Sequence, residues 1–405
     1  MATKYVNVDR ETPMLLPPDL RDWVSDNDLA LFIVDAVEST NLATARVNVR
    51  GTGDAQYPPT LMLALLIYSY ATGTFSSRAM ERASYDSMAV RYLCANHHPD
   101  HDTIAKFRRE NAPLLKACFV RVLELAREVG LLKLGTVSVD GTKIAARAAK
   151  KRSLRREQLQ KQLAVLQKEV DTLLAQAEAA DGRSPDDDTS LPQELANRQR
   201  RLERLRAVQA VLEQRDGGGD TDTVNTSDPD SGITPTAQGP FIQGYNAQAA
   251  VSAEGATLIV AAEVVQATND RRQLAPTVGA IPRELGRPDT VLADTGYDNN
   301  AQIEELTQRG IKVYCPPQNV GAKPPSNLDR LGKWQQRRMR REELDQPAGR
   351  SLYRRRAASS EPTFHVIKRL MGFGRFSLRG LKSVNLEWLL VALAYNCRKI
   401  TQATA

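Results

Sequence analysis

The sequence predicts a mixed α/β protein with a helical N-terminal region and an inserted pair of helices. Three observations lead to this fold class. Apolar residues recur at helical spacing through roughly the first 130 positions. Short β-type runs alternate with helical segments after Gly135. Leucines between residues 152 and 215 follow the 4-3-4-3 spacing of a coiled coil. With 405 residues, the chain is long enough for two or three domains.

The overall composition is that of a globular protein. Hydrophobic residues make up 41% and charged residues 25% of the chain, which is ordinary for this class. No signal peptide is apparent, and no apolar run reaches the roughly 18 residues that a membrane helix needs. We therefore expect a cytoplasmic protein with no membrane partner. Its four cysteines are scattered, which favours reduced thiols in the core.

The positive charge of the chain is concentrated near its C-terminus. Residues 329–405 contain 17 Lys and Arg against 6 Asp and Glu, a local net charge of +11, whereas the rest of the chain carries −4. A charge run is usually a solvated surface, but this asymmetry favours a local contact with a polyanion, nucleic acid in particular.

Residues 1–132 are predicted to form a helical domain. Pro58-Pro59 precedes an apolar helix, and Gly130 is placed to end the last helix of the region. Lys106, Arg108 and Arg109 could contact phosphates of a DNA end, although surface charges on a helical bundle would give the same pattern.

Residues 133–151 and 216–405 are predicted to form an α/β domain, interrupted by a helical insertion at 152–215. We expect a strand into Asp140, a turn at Asp140-Gly141 and a second strand after Thr142. The insertion is predicted to be an antiparallel helical hairpin. It could contact DNA or a partner subunit, or it could be a simple insertion.

The remaining segments predict the rest of the α/β domain. We expect a β-hairpin around residues 252–255, a helix at 270–285, a short buried strand before Asp294, a helix at 300–310 and a strand at 311–317. Residues 318–350 are basic and polar and predict a mobile loop, and a strongly apolar helix ends the chain.

Two apolar strand segments each end in an aspartate. Asp140 follows TVSV and Asp294 follows TVLA. Each aspartate precedes a glycine turn and could simply shape that turn. Carboxylates at strand ends are also a good arrangement for holding the hard oxygen-bound Mg²⁺ ions that phosphodiester chemistry uses.

Several motifs in order resemble bacterial insertion-sequence transposases. They are DGTK at Asp140, GYNAQ at Gly244, ADTGYD at Ala293, and YRRR, EPTFHVIKR and FSLRG from Tyr353 onward. Together they are similar to the DDE group that has a helical N-terminal domain and a Tyr-Arg-Glu-Lys signature. The resemblance extends from the PPTLMLALLIYSY helix to the AYNCRK end.

The resemblance implies a ribonuclease-H-like catalytic core. Its catalytic and metal-binding carboxylates would be Asp140, Asp294 and Glu361. The cofactor would be two Mg²⁺ ions, with Mn²⁺ as a possible substitute. Asp270, Asp298 and Glu387 are competing acids, and Glu387 has the context of a partly buried structural acid.

The signature residues and their neighbours are candidates for binding DNA. Six residues separate Glu361 from Lys368, as in the family pattern, but four separate Arg356 from Glu361, where the pattern has three. Arg355 could therefore stand in for Arg356. The candidate DNA-binding residues are Tyr353, Arg355, Arg356, Lys368 and Arg379.

The function implied is Mg²⁺-dependent cleavage of DNA at element ends and transfer of the cut strand into target DNA. Two alternatives remain at this stage. One is a metal-dependent nuclease that cuts without joining, and the other is a non-catalytic DNA-binding derivative of a transposase. Pairing two transposon ends would require at least a homodimer.

Overall fold

The computed structural model describes residues 19–47, 56–180, 190–214, 223–236, 239–318, 320, 323–325 and 327–404. A single large apolar core runs through the N-terminal helices and the α/β region. All four cysteines are buried and free, as expected from their spacing. Within the described residues, no helix is both long and apolar enough to cross a membrane.

The N-terminal region is helical, as predicted. Its helices are α1 (Leu29–Glu38), α2 (Pro59–Ala71), α3 (Ser77–Asp86), α4 (Met88–Leu93), α5 (His101–Glu110) and α6 (Ala112–Glu128). Pro59 begins α2, and Gly130 takes a positive φ of 75° after α6, which is the conformation of a helix-ending glycine. Arg108 of α5 is 5% exposed. It donates to Tyr70 Oη and to the carbonyl of Phe75, so the idea that it contacts phosphate was wrong.

The first strand of the α/β region, β1 (Thr136–Ala145), is continuous. The turn expected at Asp140-Gly141 was wrong. Gly141 pairs with Gln248 of a neighbouring strand in unbroken register. A Cβ on Gly141 would lie 2.4 Å from Nε2 of Gln248, so the glycine permits a close side-chain approach within the sheet instead of making a turn.

The helical insertion follows β1. It consists of β2 (Ser153–Arg155), α7 (Arg156–Ala180), α8 (Ser190–Glu213) and β3 (Thr223–Asn225). β2 and β3 pair antiparallel at its base. Arg156 contacts the carbonyl of Leu212, and Glu169 pairs with Arg198, so the two helices run antiparallel. The predicted leucine seam, including Leu159, Leu166 and Leu205, is buried between them.

The sheet is completed after the insertion. Its further strands are β4 (Gly232–Thr236), β5 (Gly239–Ser252) and β6 (Ile259–Val265), then β7 (Thr290–Ala293) and β8 (Lys312–Tyr314). The order is β4-β5-β1-β7-β8, with β6 also paired to β5. β5 pairs antiparallel with β4, β6 and β1, whereas β7 and β8 extend the sheet in parallel from β1. The sheet is therefore mixed, and the predicted β5–β6 hairpin is confirmed.

Short helices connect the parallel strands, and long helices end the chain. They are α9 (Leu274–Gly279), α10 (Asn300–Gln308), α11 (Leu328–Asp345), α12 (Pro347–His365) and α13 (Leu381–Thr404), with a π-helical turn at Val366–Leu370. The helix expected at 270–285 is shorter than predicted. The loop expected over residues 318–350 was wrong, because most of that range is α11. Its arginines have a buried partner in Asp298, which the local sequence does not reveal.

Candidate active site

Asp140 and Asp294 lie side by side in the sheet. Val139 and Ala293 are the last paired residues of the parallel strands β1 and β7, and each aspartate comes next in its chain. Neighbouring strands lie about 4.8 Å apart, so the two aspartates are next to each other on adjacent strands. Asp140 does not end its strand, as the sequence suggested. β1 continues to Ala145 against β5, and only β7 stops, which opens the sheet beside Asp140.

The Asp140 carboxylate is largely enclosed. Its side chain is 16% exposed, and Oδ1 accepts from the backbone N–H of Gly141 at 2.8 Å. Burial raises the pKa of Asp140, and the negative charge of Asp294 raises it further, whereas the Gly141 N–H, Ser360 and Arg356 lower it. A buried carboxylate beside a second negative charge favours a bound cation.

Helix α12 lies across the sheet face that carries Asp140. Ser359 of α12 donates to Ser138 Oγ at 2.7 Å, and Ser138 shares a face with Asp140 because strand side chains alternate. Nη1 of Arg356 lies 3.3 Å from Oδ2 of Asp140, and its Nη2 lies 3.6 Å from Oε1 of Glu361. One guanidinium therefore connects two of the three predicted carboxylates.

Asp270, which the sequence offered only as a competitor, lies close to Asp294: a Cβ on Gly296 would lie 3.0 Å from Oδ1 of Asp294 and 3.9 Å from Cβ of Asp270. Its Oδ1 accepts from Asn246 at 2.6 Å and Gln248 at 2.7 Å, and lies 3.6 Å from Nζ of Lys143. Burial lowers the pKa of Lys143, while Asp270 and then Asp294 raise it. Asp270 is thus committed to a polar network with Asn246, Gln248 and Lys143 beside Asp294. The DGTK and GYNAQ motifs held the signal for this network, because they contain its Lys, Asn and Gln.

The other competing acids have structural partners. Glu387 is fully buried and accepts from Tyr70 Oη, Ser377 N and Leu378 N, each at 2.9 Å. Asp298 is paired with Arg337 and Arg340 of α11. Neither carboxylate is free to hold a ligand.

The predicted DNA-binding residues fall in three places. Arg356 lies over the Tyr353 ring at 5.8 Å beside the acids, and Lys368 donates to the carbonyl of Lys143 at 3.3 Å. Arg355, 51% exposed, pairs with Glu254. Arg379 contacts a different segment: its Nε donates to the carbonyl of Arg147, beyond the end of β1. The arginine next to the acids is therefore Arg356, not Arg355.

The donor set suits a divalent cation, since it consists of carboxylate oxygens, the ligands that Mg²⁺ prefers. Asp140 and Asp294 could hold such an ion directly. Glu361 is joined to them through Arg356, and its side chain is 64% exposed. Among the described residues, no group of three or more His, Cys, Asp or Glu side chains is arranged to hold a metal ion. Completing a three-carboxylate site would require Glu361 to take the place of the Arg356 guanidinium.

Two family models match the chain. The Transposase domain (DUF772) matches residues 18–110, which contain α1 to α5, and the Transposase DDE domain matches residues 220–397, which contain Asp294 and Glu361. Asp140 lies upstream of the second match. A search of curated proteins and a search of solved structures found no significant match to the chain.

Transposase DDE domains use divalent metal ions, and transposases act on DNA. Both properties agree with the paired acids and the nearby arginines described above. The two matched domains, in this order, are the combination typical of insertion-sequence transposases, and the chain belongs to the insertion-sequence DDE transposases.

Proposed function

We propose that this protein cuts DNA strands at the ends of its insertion sequence and joins them to target DNA, with Asp140, Asp294 and Glu361 as its catalytic acids. The observation that carries the proposal is the position of Asp140 and Asp294, each of which immediately follows the last residue that β1 and β7 pair with each other. A sheet in which the first acid lies on a central strand and the second on the adjacent parallel strand is consistent with a ribonuclease-H-like core.

The chain supplies ligands and positive charge. Asp140 and Asp294 are fixed by the sheet, and Glu361 approaches from α12 on the same face. Two Mg²⁺ ions, or Mn²⁺ ions in their place, would neutralise charge on the phosphate and on the attacking and leaving oxygens. Tyr353, Arg356 and Lys368 lie where they could hold the DNA backbone next to the reacting phosphate, with Arg355 and Arg379 farther out. Pairing two element ends implies at least a homodimer.

Arg356 has two roles in this proposal. Without metal, its guanidinium balances the charge of Asp140 and Glu361. With metal and DNA bound, the same guanidinium would turn to a phosphate, for which its planar fork is well matched.

The test uses duplex DNA that carries the regions flanking the coding sequence, with Mg²⁺ or Mn²⁺. Cleavage at defined ends, and joining of a pre-cleaved end to a target plasmid, are both expected. Cleavage without a joined product would instead indicate a nuclease. Binding without cleavage under either metal would indicate a non-catalytic derivative.

A further inference from the structure

A basic cleft lies between the helical insertion and the α/β region, away from the paired acids. Its volume is about 450 Å³. Arg201 and Arg204 of α8 form one wall, and Arg152, Arg379 and the residues Thr226 and Ser227 form the other. Four arginines therefore converge on one concave surface.

No carboxylate lines this cleft. All four arginines are exposed, and within the part of the chain that the structure describes none of them forms an ion pair. Arg152 donates to Ser227 Oγ at 3.0 Å, and Arg379 donates to the carbonyl of Arg147 at 3.0 Å. The buried Asp228 lies near enough to Arg379 to interact with its charge, but it does not line the cleft. Like charges gathered on one concave surface repel one another, so the arrangement favours binding of a polyanion.

The cleft is held in shape by its base. β2 and β3 pair beneath it. Ser153 Oγ donates to Gln243 of β5, and Asn225 Nδ2 donates to the carbonyl of Ala149. These bonds fix the insertion to the sheet. The arginines are thus presented on a rigid frame, where their forked guanidinium groups and the Ser227 hydroxyl suit phosphate oxygens.

The cleft lies beyond the C-terminal end of β1, the strand that carries Asp140. β1 runs from Asp140 to Ala145 toward the cleft, which at about 3.3 Å per residue is on the order of 17 Å. Arg147, which binds Arg379, follows that end of β1. Duplex DNA rises about 3.4 Å along its axis for each base pair, so the separation corresponds to about five base pairs or more.

We infer that this cleft binds the phosphate backbone of duplex DNA about five or more base pairs from the reacting phosphate, which makes the insertion a DNA clamp. The number of base pairs in this inference rests on the proposed function, because it is counted from Asp140 as the place where the DNA is cut. The existence of a polyanion site in the cleft does not depend on catalysis.

The test measures binding of the full-length protein to fluorescent element-end duplexes, by anisotropy in EDTA, between 50 and 200 mM salt. The cleft variant is R201Q/R204Q. The control, R198Q/R206Q, removes two charges from the same helix at arginines that bind Glu169, Glu194 and Gln167 inside the hairpin. Circular dichroism melts verify that both variants fold.

The cleft variant should lower the magnitude of the slope of log affinity against log salt by about 2, at roughly 0.9 for each lost phosphate contact. The control should leave the slope unchanged. Duplexes truncated to about four base pairs on the cleft side of the cut should bind both proteins alike. Equal slopes for the two variants, or an effect that persists on the truncated duplex, would overturn the inference. Because metal is absent, loss of binding by R201Q/R204Q would support the cleft even if the wild-type protein failed to cut DNA.

Discussion

Arg356 Nη1 lies 3.3 Å from Oδ2 of Asp140, so an arginine of α12 holds the acid at the centre of the sheet. The same side chain reaches Glu361. One guanidinium therefore lies next to two of the three proposed catalytic acids. The predictions below test whether these residues act in the chemistry, in DNA binding or only in folding.

Asp140→Asn and Asp294→Asn should each reduce strand cleavage by at least about 10²–10³-fold, the scale seen when one preorganised electrostatic group is removed from an active site. Binding to end DNA should remain, because phosphate contacts come mainly from basic residues. Gel assays of cleavage and binding check both. Asp289→Asn, at the exposed start of β7, is the control. Wild-type cleavage by either site variant would remove that residue from the proposed site.

Asp140→Asn should also make the metal-free protein more stable at neutral pH. Burial raises the pKa of Asp140, so ionisation of this carboxylate opposes folding. That penalty appears as pH rises through the unfolded-state pKa toward the folded-state pKa, and asparagine removes it. Tm should rise by about 2–4 °C for each kcal/mol gained, and the difference should shrink at pH 3. A variant that melts below the wild-type protein at pH 7 would contradict this.

Arg356→Gln should weaken binding to end DNA and lower cleavage about tenfold or more, because it removes a charged hydrogen-bond donor that is only 16% exposed, next to Asp140. Arg355→Gln is the matched control. Arg355 is 51% exposed and pairs with Glu254, so its loss should have an effect of less than about threefold. Filter-binding and cleavage assays compare the two variants. A larger effect at Arg355 would reverse the assignment.

Glu361→Gln and Glu387→Gln should separate chemistry from folding. Glu361 is 64% exposed, so its variant should keep wild-type stability and lose cleavage. Glu387 is fully buried and accepts from four donors, Tyr70 Oη, Ser377 N, Ser377 Oγ and Leu378 N, so its variant should lose roughly 3 kcal/mol of unfolding free energy. Urea denaturation measures the stability of each. Unchanged stability at Glu387, with loss of cleavage, would make it the third acid in place of Glu361.

Asp298→Asn should loosen α11. The carboxylate is fully buried between Arg337 and Arg340, and removing one partner of a buried ion pair costs about 3–5 kcal/mol. Limited proteolysis should then cut within α11, whose many arginines are trypsin sites. Asp345→Asn, which removes an exposed ion-pair partner of Arg341 and Arg350, should cost less than about 1 kcal/mol. Equal protease resistance of the two variants would show that Asp298 does not anchor the helix.

The local sequence was sufficient to predict helices and strands that depend on residues close together in the chain. Apolar periodicity, Pro59 and Gly130 predicted the N-terminal helices. The apolar TVLA run predicted β7, and the leucine spacing predicted α7 and α8. Turn propensity misled at Asp140-Gly141, because pairing of β1 with β5 outweighs the preference of a dipeptide. Polarity misled in α11, because a buried acid from a distant segment holds its arginines.

The sequence by itself was enough to name the candidate acids and the apolar strand segments that precede them, because hydrophobic pattern and motif order are carried in the chain. Only the tertiary structure decided that Asp140 lies beside Asp294, that Arg356 and not Arg355 reaches them, and that Asp270 joins the surrounding network. The tertiary structure also brings the four arginines of the insertion cleft together on one surface. These are relations between residues far apart in the chain, and sheet register and helix packing set them.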